Sequence, residues 1–254
     1  MTRSETIRYP EMDRGLDHSA GRPAARETGF AGGDAHSMGE FMLRRLRADI
    51  VAARLAPGMK LALRHLAKEY RVGITPLRDA LAQLAGDGLV IMESQKGFRV
   101  APVSPDDLAD LSDVRLRVEL MALGMALDRG GADWVERLRA SCAVFSGVQR
   151  VGDDEPVAEE WEARHRAMHM ALLSGCGSPT LMRFVGRIHD RFHRYRRIAR
   201  LTRSYMAVLH DDHGDIADAA MNADRARCEA LLERHIAQSC GMVRDTIRFD
   251  RVPA

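Results

Sequence analysis

Four of the ten histidines in this 254-residue chain are spaced so that they could share one ion. His165 and His169 lie at i and i+4, so on a helix both imidazoles leave from one face. His213 and His235 flank the turn signal Met221-Asn-Ala-Asp224. An up-down helix pair of that length brings the two side chains to similar heights. Three helices can then converge four imidazoles on one point, a donor set suited to a divalent ion such as Zn²⁺ or Ni²⁺. The alternative is that each is an ordinary polar or capping histidine. His189 and His193 share the i, i+4 spacing but stand in a run with seven arginines between Arg187 and Arg203. That cationic density repels a metal ion, so a solvated or anion-facing surface is expected there. The same expectation covers Arg194 and Arg196, and His210 reads as a helix-terminus residue.

Metal-dependent hydrolysis would need a general base beside the ion, as in H-E-x-x-H. The residue after His165 is Arg166, and neither a nucleophile motif nor a Gly-rich phosphate loop is present. The chain is therefore not expected to be an enzyme. A metal-dependent hydrolase and a helical metal-binding protein with an appended DNA-binding module remain the alternatives.

The element with the clearest second chemistry is Val72-Gly-Ile-Thr-Pro-Leu-Arg-Asp-Ala-Leu-Ala-Gln-Leu84. Thr75 is expected to cap a helix with Pro76 at its first position, where the missing N–H costs nothing. Leu77, Leu81 and Leu84 make one apolar stripe, which leaves Thr75, Arg78, Asp79 and Gln83 on or near the other face. A short helix with polar side chains at its start suits a DNA major groove. Upstream, Phe41 to Leu55 reads as an amphipathic helix broken by Ala56-Pro57-Gly58, and Leu63 to Tyr70 as a second. Downstream, Leu89–Met92 and Gly97–Ala101 read as a hairpin joined by Glu93-Ser-Gln-Lys96. Three helices and a hairpin make a winged helix-turn-helix. Expected DNA contacts are Arg64 at the start of the second helix, Thr75 and Arg78 on the third, and Lys96 with Gly97 in the wing.

This stretch resembles the GntR family of bacterial transcriptional regulators. The resemblance rests on Pro57-Gly58, Leu66-Ala67, Val72, Thr75-Pro76-Leu77-Arg78-Asp79-Ala80-Leu81, Leu84, Gly88-Leu89-Val90, Gly97 and Val100. It implies binding to a double-stranded operator. One departure stands out: the family usually has Ser-Arg before the threonine, and this chain has Gly73-Ile74. A winged helix contacts one half-site, so a homodimer is expected.

Composition agrees. Residues 39–103 hold 11 Lys/Arg against 6 Asp/Glu, although the whole chain is only +2. A basic module on a mildly acidic body fits phosphate binding, and a solvated charged face is the alternative. The four cysteines lack C-x-x-C spacing, so no disulfide framework or thiolate zinc site is indicated. No run of about 18 apolar residues suggests a membrane span, and the first stretch lacks the apolar core of a signal peptide. A cytoplasmic location is expected. Residues 1–37 are expected to be a disordered tail, residues 38–103 the winged helix-turn-helix, and residues 104–250 a helical domain.

Ser104-Pro105-Asp106-Asp107 has the form of a helix start, with a helix running to about Asp128 before Gly130-Gly131. Further helices are expected at 132–149, 157–174, 178–203, 205–222 and 224–247, an all-α bundle of six or seven helices. The fold class is thus mainly α. Arg115-Leu-Arg-Val-Glu119, His165-Arg-Ala-Met-His169, Leu172, Ser178-Pro179-x-Leu181, His213-x-x-Ile216 and His235 resemble the C-terminal FCD domain of the FadR-type subfamily. That resemblance implies a metal at His169, His213 and His235. His165 falls where the subfamily has an Asp or Asn. It also implies a small organic acid as effector and places Arg115 near the effector pocket. A salt bridge from Arg115 to Glu119 is the other reading of that arginine.

Overall fold

The computed structural model describes residues 35–94, 96–147, 155–202 and 212–249. Most of the expected tail, with His210, lies outside the described residues.

The N-terminal unit forms around a leucine-rich core. Helix α1 (Ala35–Val51) buries Met42, Leu46 and Ile50, one stripe at i, i+4, i+8. It ends before the expected Leu55 because Ala53 adopts a left-handed φ of 57°, and Leu55 returns its N–H to the Asp49 carbonyl at 3.1 Å. Helix α2 (Leu63–Tyr70) has the expected bounds and stops at Arg71, whose φ is 55°. Helix α3 (Ile74–Gly86) corrects the expected cap: the capping position is Gly73, without a side-chain cap bond, and Thr75 lies inside the first turn. Pro76 then sits third in the helix, where its missing N–H still costs nothing, because the first four N–H groups have no intrahelical acceptor.

The hairpin is β2 (Val90–Glu93) and β3 (Gly97–Val100), paired antiparallel with Ile91 opposite Arg99. A two-residue strand, β1 (Lys60–Leu61), joins the free edge of β3, giving the order β1-β3-β2. Periodicity cannot reveal a strand that short. Leu61, Leu66, Leu77, Leu81, Leu84 and Phe98 close the core between helices and sheet.

The second unit contains six helices among the described residues: α4 (Pro105–Arg129), α5 (Ala132–Ser146), α6 (Glu155–Ser174), α7 (Pro179–Thr202), α8 (His213–Met221) and α9 (Arg225–Thr246). Ser104 caps α4 as expected, its Oγ accepting from the Asp107 N–H at 3.1 Å. Residues 203–211, which include the first part of the helix expected at 205–222, lie outside the described residues. Leu123, Leu172, Leu173, Ile216, Leu232 and Ile236 form the main bundle core.

Helix α7 overturns the expectation of a solvated cationic face. Arg194, Arg196 and Arg197 are buried, as is His189, while His193 is only partly exposed. The reason is its position, packed against α4, α6 and α9 and also against α1. Arg194 donates to the Ala101 carbonyl at 2.9 Å and Arg197 to the Ala52 carbonyl at 3.2 Å. Asp190 accepts from Arg47 of α1 at 2.9 Å and from Arg166 of α6 at 2.9 Å. Arg187 pairs with Asp87 at 2.7 Å, and Arg47 reaches the same carboxylate. Gly88, with φ of 74°, lets Arg191 pass close: an added Cβ would meet its Cδ at 3.4 Å. The helix thus spans from the winged helix to the middle of the bundle.

Candidate metal centre and nucleic-acid interface

The four histidines expected to share an ion converge. His165 and His169 leave α6, His213 opens α8, and His235 comes from the middle of α9. All four are buried, and one ring nitrogen from each lies within 4.8 Å of the others. The His165 and His169 Nε2 atoms are 3.2 Å apart. Bonds of about 2.0–2.1 Å to a tetrahedral ion would separate two nitrogens by about 3.3 Å, so this spacing fits a shared ion. The His213 and His235 ring centroids are 4.4 Å apart, and those of His165 and His213 4.8 Å. Trp161 stacks on His165 at 4.7 Å and Phe145 meets the edge of His213 at 5.0 Å, so apolar rings close one side.

The electrostatics favour neutral imidazoles. Burial, and then Arg196, hold His165 well below its ordinary value. Burial, and then His213, do the same for His235. Burial lowers His169 to about 3, although Glu119 pulls the other way. Neutral imidazole is the form that binds a metal.

A ring of charge surrounds the cluster. Arg115 donates from Nε to Glu119 Oε1 at 2.6 Å, and both residues are buried. The salt bridge is therefore present, and the Arg115 guanidinium also covers the Phe192 ring at 4.4 Å. The same Glu119 oxygen is 3.1 Å from His189 Nε2, while Glu119 Oε2 is 3.6 Å from His169 Nδ1. Burial alone would raise the Glu119 carboxyl, but Arg115 and then His189 outweigh it and hold it well below its ordinary value. Arg196 donates to Glu162 at 2.5 Å. Reading by residue type missed Trp161 and Glu162, took Glu119 only as a salt-bridge partner of Arg115, and gave His189 a solvated or anion-facing surface. The i, i+4 spacing of Arg115 and Glu119 was the one signal in the sequence for Glu119.

The residues expected to touch DNA are all exposed: Arg64, Thr75, Arg78, Lys96 and Gly97. Arg64 opens α2, Thr75 and Arg78 occupy the first turns of α3, and Lys96 and Gly97 lie at the wing tip. Gly97 has φ of 94°, which favours glycine at this turn. Among the described residues no carboxylate pairs with Arg64, Arg78 or Lys96, so their charges are available to phosphates or base edges. Ile74 projects from the first position of α3 with 41% of its surface exposed.

Residues 40–100 match the family described as bacterial regulatory proteins of the gntR family, and residues 110–238 match the FCD domain. The chain is 35% identical over 198 residues to the HTH-type transcriptional repressor GlaR of Escherichia coli (strain K12), covering 76% of this chain and 90% of that one. It is 36% identical over 210 residues to the HTH-type transcriptional regulator BphR of Paraburkholderia xenovorans (strain LB400), covering 82% and 86%. The solved structure of E. coli McbR/YncC shares the fold, with a TM-score of 0.69 at 20% identity over 81% of this chain and 96% of that one. No helix among the described residues is long and apolar enough to cross a membrane. With Arg64, Arg78 and Lys96 of the winged helix exposed and both domains matched in order, this chain belongs to the GntR family in its FadR-type arrangement, a DNA-binding transcriptional regulator and not an enzyme.

Proposed function

We propose that the protein represses transcription as a homodimer, and that a small carboxylate bound at or near a divalent ion in the helical domain changes its affinity for the operator. The observation that carries this reading is the convergence of four buried imidazoles in the domain that accompanies the DNA-binding module. His169, His213, His235 and His165 would hold Zn²⁺ or Ni²⁺. A bound ion supplies an electrophilic position that attracts a carboxylate oxygen, since neutral imidazoles leave its charge uncompensated. Arg115, buried in the wall of the same region, is the candidate for the other end of the molecule. The similarity to GlaR, a transcriptional repressor by name, supports the sign of regulation.

A second copy has a suitable surface. Met121 on α4 and Phe184 on α7 are each about half exposed and line one shallow groove together with Met125 and Leu181. Apolar surface of that kind fits a partner of the same chain.

An effector can act on DNA binding only through differential affinity for two arrangements of the modules. Helix α7 is the element placed to convey it, since it touches both the histidine region and the winged helix. The decisive experiment is operator binding at fixed salt by metal-loaded and chelator-stripped protein, each titrated with a panel of small carboxylates. Affinity that changes with carboxylate only in the loaded protein supports the reading. Identical affinity under all conditions overturns it.

Two predictions concern the operator. Arg78→Ala is expected to cost about 1–3 kcal/mol in operator binding if the guanidinium reads a base edge. Unchanged affinity at fixed salt excludes that role. Ile74 can touch a thymine methyl but cannot donate to guanine, so selection from a random library is expected to return a half-site unlike the common family one. Recovery of the common half-site, or indifference to Ile74→Ala, shows that Ile74 does not contribute to readout.

A further inference from the structure

Glu119 and His169 present to each other two buried atoms that have no hydrogen-bond partner among the described residues, Oε2 and Nδ1, at 3.6 Å. Burying either polar atom without a partner is costly. The gap is about half an ångström too long for a hydrogen bond. Rotation of the imidazole about χ2, a soft torsion, can close it. The opposite nitrogen of the same ring, Nε2, faces His165 and the ion cluster. A histidine that ligates a metal through one nitrogen commonly donates its other N–H to a carboxylate, which fixes both tautomer and ring orientation.

We propose that Glu119 is the positioning residue of the metal centre: it accepts the Nδ1–H of His169 and so presents the Nε2 lone pair to the ion, with Arg115 holding the carboxylate in place. This rests on the metal centre proposed above. Glu119, His169 and His189 could themselves be taken for a second three-ligand site. The Arg115 guanidinium, 2.6 Å from the same carboxylate, argues against it, because it puts a positive charge where a second cation would bind. The cluster therefore takes one divalent ion, and Glu119 touches a ligand rather than the ion.

The test compares zinc affinity, by chelator competition, and the visible spectrum of the Co²⁺-loaded protein in wild type and Glu119→Gln. Glu119→Gln removes the carboxylate that faces the buried Arg115 charge, so the variant could fail to fold. The pair Arg115→Met and Arg115→Met/Glu119→Gln makes the same comparison without that charge. Expected results are one ion per chain in the wild type and a 10- to 100-fold loss of zinc affinity when Glu119 becomes Gln in either background. The coordination number read from the Co²⁺ spectrum should stay the same. Equal zinc affinity with and without the carboxylate overturns the positioning role while the metal centre stands. Two ions per chain, or a changed ligand count in Glu119→Gln, makes Glu119 a ligand and also overturns it. A wild type that binds no ion overturns both this inference and the metal reading beneath it.

Discussion

The double variant His213→Ala/His235→Ala is expected to lose its divalent ion and, with it, every response to chelator and to carboxylates. These two rings come from α8 and α9, so an ion shared with His165 and His169 would bridge both helices to α6. Removing two of four imidazoles leaves His165 and His169, a bidentate i, i+4 pair on one helix. Structural zinc sites contribute about 10–16 kcal/mol at neutral pH, so loss of half the ligands should reduce affinity by several orders of magnitude. The wild type at a free ion concentration about 1,000-fold above its Kd should gain about 4 kcal/mol over stripped protein. For a chain of this size that raises Tm by roughly 10 °C. The double variant is expected to show no such difference between zinc and chelator. Truncating two buried rings also leaves cavities and lowers Tm by itself. That cost is present with and without zinc, so the comparison within the variant isolates the metal. Elemental analysis and thermal shift on both proteins check the result. A wild type that carries no ion, and whose melting and carboxylate response ignore chelator, makes the four histidines structural.

The features that could be read in the sequence are those set by near neighbours. Ser104 caps α4 because the serine, the proline and two acidic residues are consecutive, and α2 matches its expected bounds because Pro57-Gly58 and Leu66 set them within a few residues. The paired His165 and His169 follow from one helical turn. The convergence of His213 and His235 follows from one hairpin of helices. Thr75 misled because Gly73, two residues earlier, already supplies the extended backbone that starts α3. Strand β1 escaped notice because its two residues are ordered by β3, about 40 residues away. The larger failure, α7, has the same origin on a longer scale. Its cations looked solvated because their counter-charges lie far off in sequence: Glu119 for His189, Glu162 for Arg196, Asp107 for Arg191 and Asp87 for Arg187. A local pattern contains the charges of one helix and none of those that come to meet it. The partners of the four clustered histidines were hidden for that reason too, except Glu119, which the i, i+4 step from Arg115 exposes.

Acid should unfold the metal-free protein well before ordinary carboxylates titrate. Burial lowers His165, His235, His189 and His193, and brings His169 to about 3. Glu119 opposes the shift at His169 and His189, and Glu162 opposes it at His193, but burial wins at each. Arg115 and Arg196 add to it from the other side. In the unfolded chain the same histidines titrate near 6.5. Below that pH the unfolded state therefore binds more protons than the folded state. Stability is fully present above about pH 6.5 and falls as pH drops toward the folded values. Each such histidine contributes a slope of up to about 1.4 kcal/mol per pH unit. Several acting together remove on the order of 5 kcal/mol between pH 6 and pH 5, comparable to the whole stability of many domains. Stripped protein is thus expected to show a steep drop in Tm from pH 7 to pH 5 and to unfold near the lower end. Zinc should delay the drop, because a bound ion holds the imidazoles deprotonated, and then release it sharply once protons displace the ion. Thermal melts of stripped and zinc-loaded protein across this range provide the check. A stripped-protein Tm that stays level from pH 7 to pH 5 means the histidines are charged or solvated in the folded state, and the neutral, ion-ready cluster does not exist.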